Sequence, residues 1–186
     1  VIADEFSPDF HSIYFDDIKG GEMAVDYLFN LDYKKIAFIN GDINSLHGQK
    51  RLKGVKKSFE KNDLTIAEKL FKDGNFYAED GFQSMQEILE LPEAEWPNAV
   101  FAASDNQAIG VLQAMEEKGL KAPDDIAVIG YDNIELAKYL KITTIWQPMY
   151  QLGHLAVEVL LKAINGELTE TYHKELELKL VKRETA

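Results

Sequence analysis

The chain has 186 residues, 46% of them hydrophobic and 28% charged, a balance that suits a globular protein burying one good core or two modest lobes. It has no cysteine, which excludes disulfide frameworks, thiolate metal sites and cysteine nucleophiles and suits a reducing cytoplasm. A net charge of −12 sets these residues against nucleic acid, so any DNA-binding role would reside elsewhere in a parent protein.

No apolar run approaches the length of a membrane span, and no signal peptide is visible. The opening Val1-Ile2-Ala3-Asp4, without a methionine, reads as cut from something longer, and Val1-Ile2-Ala3 as the tail of a strand. Ile13-Tyr14-Phe15 is a second β-prone run. It leads to Asp16 and Asp17, either of which can cap a helix over residues 20–31 with Met23, Ala24, Tyr27, Leu28 and Leu31 on one face. Residues 35–40 (KIAFIN) predict a buried strand ending at Gly41-Asp42. A polar loop over residues 43–48 precedes a helix whose Leu52, Val55 and Phe59 point one way. Phe71-Lys72-Asp73-Gly74 reads as a weaker strand with Asn75-Phe76-Tyr77 at its end. A helix over residues 78–91 then buries Phe82, Met85, Ile88 and Leu89.

Residues 98–133 organise the rest. Ala99-Val100-Phe101-Ala102 is an apolar run ending at Ser104-Asp105. From Gln107 the period becomes helical, through Ala108, Val111, Leu112 and Met115, and Gly119 stands where a helix would stop. Ile126-Ala127-Val128-Ile129 is a second buried run, closed by Gly130-Tyr131-Asp132-Asn133. Apolar residues on consecutive positions are what parallel strands covered on both faces require. A short helical or irregular crossing over 134–141 leads to a strand over 142–146. A helix over 150–164 follows, with Leu152, Leu155, Ala156, Val159, Leu160 and Ala163 on its face and Asn165-Gly166 at its close. Residues 175–182 alternate Leu176, Leu178 and Leu180 with charges, the pattern of an edge strand. The βα alternation over residues 36–129 predicts a doubly wound parallel α/β sheet.

Open parallel sheets bind ligands outside the carboxyl ends of their strands. Asp132 stands at such an end, either as an acceptor for adjacent sugar hydroxyls or as a cap on the turn from Ile134. Arg51 either reaches that crevice with its five donors or lies on the surface. Phe76 either stacks on a ligand or packs under the following helix. Asp105 has the commoner use of capping the helix after it. His47 lies in the loop before Arg51, and no second histidine is spaced with it for a metal. There is no nucleophile elbow, Walker loop, GxGxxG or HExxH, so no catalytic residue, metal or cofactor is assigned.

The run from Ala99 and Phe101 through Asp105, Gly110, Gly119 and Pro123 to Gly130-Tyr131-Asp132-Asn133 resembles the effector-binding module of the LacI/GalR family of bacterial transcription regulators. Thr143-Thr144-Ile145-Trp146-Gln147-Pro148, Leu152-Gly153 and the terminal Leu180-Val181-Lys182-Arg183-Glu184-Thr185 match in the same order. The resemblance implies a periplasmic-binding-protein-like fold of type I. Its C-terminal lobe would be nearly complete (about 17–144 and 172–186), its N-terminal lobe partial (about 1–16 and 145–171), and its helix-turn-helix absent. It implies a cytoplasmic homodimeric repressor that binds a sugar or sugar phosphate in the inter-lobe cleft and operator DNA through the missing domain.

Carried onto this sequence, the effector-binding positions are Asp132, Arg51 (in Arg51-Leu52-Lys53-Gly54), Phe76 and Ser104. From the residues alone, Asp16 is a helix cap or an effector contact, Gln147 touches ligand or hinge backbone, and His47 is an effector contact or an exposed loop residue. Ser104 stands where many members have asparagine. The alternative is a periplasmic sugar-binding protein of a transporter, from which the 142–148 stretch and the terminal Lys182-Arg183-Glu184-Thr185 differ.

Overall fold

The computed structural model describes the backbone of Ile2 and Ala3 and the whole of residues 5–186. In chain order its elements are β1 (Ile2–Ala3), β2 (His11–Tyr14), α1 (Asp17–Asn30), β3 (Ile36–Ile39), α2 (Leu46–Lys61), β4 (Phe71–Lys72), α3 (Ala78–Leu89), β5 (Ala99–Ala102), α4 (Asp105–Glu117), β6 (Ala127–Asp132), α5 (Glu135–Tyr139), β7 (Thr143–Trp146), α6 (Met149–Ile164), β8 (His173–Glu175) and β9 (Lys179–Val181). They form two compact units, Asp17–Trp146 with Leu180–Ala186 and Val1–Asp16 with Gln147–Lys179.

The larger unit is built on one sheet in the order β4-β3-β5-β6-β7-β9. The pairs β3/β4, β3/β5, β5/β6 and β6/β7 are all parallel, as the βα alternation predicted. Every residue of β3 and β5 is buried, because helices cover both faces. Successive side chains point to opposite faces. Ala37, Ile39, Val100, Ala102 and Val128 meet Met85 and Ile88 of α3 and Val111 and Met115 of α4 in one apolar core. On the other face Phe71, Phe38, Phe101 and Tyr131 form a ladder across four strands. Its ring centroids are 6.1, 5.2 and 6.4 Å apart in turn.

The covering helices pair through glycine. A Cβ on Gly54 of α2 would lie 2.1 Å from the Ile18 carbonyl of α1, and one on Gly21 would lie 2.4 Å from the Arg51 carbonyl. On the opposite face a Cβ on Gly110 of α4 would lie 1.9 Å from the Ala78 carbonyl of α3. These crossings bring backbone onto backbone, so neither partner can yield as a flexible side chain would. Gly110→Ala therefore destabilises although alanine is the better helix former by about 1 kcal/mol. Overpacking costs about 1–3 kcal/mol and outweighs that gain. A lower urea midpoint with an unchanged m-value is the expected result.

In the smaller unit β1, β2 and β8 form a three-stranded parallel sheet. Here two expectations are corrected. The single edge strand predicted over 175–182 is two strands, β8 beside β2 and β9 beside β7, because the chain leaves one unit for the other between them. Leu176 and Leu178 are buried at that passage. In α6 only Val159 of the predicted face is buried, and Leu160 is exposed.

Candidate functional site

Within the larger unit, side chains from α1, α2, the β4–α3 turn and β6 converge at the carboxyl ends of the strands. Helix α2 starts at Leu46, earlier than the loop reading placed it, with the Ser45 hydroxyl accepting from the Gly48 N–H. His47 therefore lies in its first turn rather than in a loop. Four residues on, Arg51 shares its face. Both reach one acceptor, Asp17, at the start of α1. His47 Nδ1 is 2.7 Å from Asp17 Oδ2, and Arg51 Nε donates to Oδ1 at 2.9 Å. The Tyr131 hydroxyl donates to the same Oδ1 at 3.0 Å.

Arg51 is buried, with its side chain 6% exposed. Its Nη1 donates to the Ala103 carbonyl. Its Cζ lies 3.8 Å from the centroid of Tyr131 and 5.5 Å from that of Phe76. Asp132 Oδ1 is 3.8 Å from Nη1. Strand alternation would send Tyr131 and Asp132 to opposite faces. A φ of 110° at Asp132 breaks that alternation and lets both side chains reach Arg51.

Phe76 is held by its own turn, with φ 68°. The Asp80 carboxylate accepts from the N–H groups of Asn75 and Tyr77 on either side, at 2.9 and 3.0 Å. The Ser104 hydroxyl donates to the Phe76 carbonyl at 2.8 Å. The ring lies across Gly41, where a Cβ would come within 1.9 Å of it.

The carboxyls divide by environment. Burial, the largest influence on Asp17, works to raise it, but the His47 hydrogen bond and the charge and hydrogen bond of Arg51 outweigh burial and hold it at about 2. Burial pushes Asp132 up to about 7 against the pull of Arg51, with Asp105 and Asp17 adding to the rise. Burial likewise lifts Asp105 to about 6, although Thr144 and the Ile134 N–H bond to it. Arg51 is held charged: burial works against its charge, and the Asp17 carboxylate overcomes it.

The structure thus brings together four of the positions assigned from the sequence: Asp132, Arg51, Phe76 and His47. Ser104 lies beside them, but it is buried and its hydroxyl is engaged, donating to Phe76 and accepting from the Gln107 N–H as the N-cap of α4. It takes the capping role expected of Asp105. Asp105 instead begins α4 and ties β7 and the β6–α5 turn through Thr144 and Ile134. Asp16 and Gln147 belong to the other unit.

Sequence reasoning missed Asp17 and Tyr131. Asp17 passed for a helix cap and Tyr131 for part of a strand-end motif. The i, i+4 spacing of His47 and Arg51 shows that both share one helix face, but nothing in the sequence names the acid they share. Among the described residues no cluster of metal-ligating side chains occurs, and no helix is long and apolar enough to cross a membrane.

Residues 25–186 match the periplasmic binding protein-like domain family. The chain is 35% identical over 90% of its length to the transcriptional repressor PurR of Vibrio atlanticus, covering 50% of that protein. It is 35% identical over 97% of its length to the ribose operon repressor of Escherichia coli K12, covering 55% of it. It thus spans about half the length of the curated relatives it matches. A LacI family transcriptional regulator from Enterococcus faecium, solved with bound ribose, superposes with a TM-score of 0.86 at 29% identity, covering 100% of this chain and 69% of that one.

Proposed function

We propose that this chain, which belongs to the periplasmic-binding-protein-like domain family as a LacI-type effector-binding domain, is the ligand-sensing part of a transcriptional repressor. Its effector is a small polyhydroxylated molecule, a sugar or a close derivative, bound at the strand-end crevice of the larger unit. We read that unit as the C-terminal lobe of the effector module and the smaller unit as part of its other lobe. The whole protein is a cytoplasmic homodimer that reaches operator DNA through a separate domain, since these residues carry a net charge of −12. Effector and operator affinities are then coupled, and each changes the other by the same factor.

One observation carries the reading. An arginine, two carboxylates and an aromatic ring converge at the end of a parallel sheet, with the Asp132 side chain still 30% exposed. Ionised oxygens accept from paired hydroxyls, and a ring face stacks on the apolar side of a sugar. The ribose named for two of the relatives supports the same class.

The test is a thermal-shift panel of sugars, sugar phosphates and purines on the whole protein, repeated with Asp132→Ala. A ligand that binds only the folded state at a hundred times its Kd adds about 2.7 kcal/mol. A sugar should raise the melting temperature, and the rise should vanish in the variant. A panel without a hit, or a hit indifferent to Asp132, overturns the reading.

A further inference from the structure

We propose that Asp17 is a charge filter: by claiming the guanidinium of Arg51 it makes the crevice take an uncharged polyhydroxylated effector and refuse a phosphorylated one. The inference rests on the reading of this crevice as the effector site.

A phosphate is gripped best by two parallel N–H donors on one edge of a guanidinium. Neither such edge of Arg51 is open. Nε is bonded to Asp17 Oδ1 at 2.9 Å, and Nη1 is bonded to the Ala103 carbonyl. The rings of Tyr131 and Phe76 crowd the guanidinium as well, with centroids 3.8 and 5.5 Å from Cζ. The remaining approach lies beside Asp132, whose Oδ1 stands 3.8 Å from Nη1.

The local charge balance argues the same way. Two carboxylates, Asp17 and Asp132, face one guanidinium, and the His47 ring is itself bonded to Asp17 Oδ2. A dianion entering beside Asp132 would meet a site whose positive charge is already neutralised. The helix pole offers no alternative. Asp17 is the acid in the first turn of α1, so it fills the place where a bound anion would gain from the N-terminal dipole. Hydroxyl groups meet none of these obstacles, since they donate to the carboxylates and bring no charge.

Inorganic phosphate is the direct probe, followed by ribose against ribose 5-phosphate, each titrated calorimetrically into the whole protein. Wild-type protein should bind inorganic phosphate no better than chloride at equal ionic strength. Asp17→Asn keeps the shape, removes the charge and weakens the hold on the Arg51 edge, so phosphate affinity should rise at least tenfold. Adding Arg51→Gln to that variant should abolish the gain. Should Asp17→Asn fail to fold, Asp132→Asn removes the other, more accessible carboxylate and should move phosphate affinity in the same direction by less. Phosphate binding to the wild type, or no gain in either neutralised variant, overturns the filter. The phosphate arms do not depend on which sugar is the effector. A protein that behaves as expected toward phosphate yet ignores every sugar would keep the filter and lose the effector reading.

Discussion

Arg51→Leu should cost about 3–5 kcal/mol of folding stability, the range found when one partner of a buried ion pair is removed. The loss of charge is the cause, not the loss of volume, because leucine fills part of the slot between Tyr131 and Phe76. Asp17 is left buried with its charge facing His47 and the Tyr131 hydroxyl. Asp132 loses the stronger of the two pulls that lower its carboxyl, with only the lesser pull of His47 left. The pH dependence identifies the mechanism. In the wild type Asp17 is held at about 2 against 3.8 unfolded, so its contribution is full above pH 3.8 and is lost as pH falls toward 2. Without Arg51 both carboxyls rise, and protonating them relieves the unpaired charge. The deficit seen by urea unfolding at pH 7 should therefore narrow in mild acid. A cost under about 1 kcal/mol, flat with pH, would fit an exposed ion pair and contradict this account.

Asp132→Asn should separate affinity from stability. In the free protein Asp132 sits at about 7 against 3.8 unfolded. Hydroxyl donors favour its ionised form, so effector binding should tighten as pH rises through about 7. Below that the affinity falls roughly tenfold per pH unit, the value of one unit of protonation free energy. Asparagine accepts without charge, and losing a charged hydrogen bond is worth about 1.5–3 kcal/mol, so binding should weaken about 10- to 150-fold. The variant's pH profile should be flat. Stability runs the other way. A carboxyl whose folded value is raised contributes fully below pH 3.8, and that contribution is lost as pH rises through 7. The asparagine variant lacks that loss and should be no less stable than wild type at pH 8. A variant that binds as well as wild type, or whose affinity still follows pH, would place the proton-linked group elsewhere.

The strands and helices of the larger unit were legible because each buried run is continuous and each helix keeps its period. Phe38 and Phe101 could be placed in a covered sheet from Lys35–Asn40 and Ala99–Ala102 alone. The single strand over 175–182 was not separable by pattern, since alternation at Leu176, Leu178 and Leu180 says which residues are apolar and not which sheet each joins. The site was legible at Arg51, Phe76 and Asp132, which end strands or open helices. Asp17 was hidden because a helix-start aspartate usually caps, and its partners lie 30, 34 and 114 residues away. Tyr131 was hidden because strand alternation turns it from Asp132, and nothing in the residue types announces the positive φ that restores the meeting. Ser104 took the cap expected of Asp105 for a local reason: the hydroxyl one residue earlier reaches Gln107 N–H, and Asp105 is held by Thr144 and Ile134.

The glycine crossing of α1 and α2 makes those two helices one rigid plate, with backbone against backbone at Gly21 and Gly54. Asp17, His47 and Arg51 all ride on that plate, whereas Asp132 belongs to the sheet beneath it. The 3.8 Å gap between Arg51 and Asp132 spans the seam between plate and sheet. Tyr131 and Ala103 bond across the same seam to Asp17 and Arg51, so they pin the plate to the sheet and fix the field that Arg51 lays on Asp132.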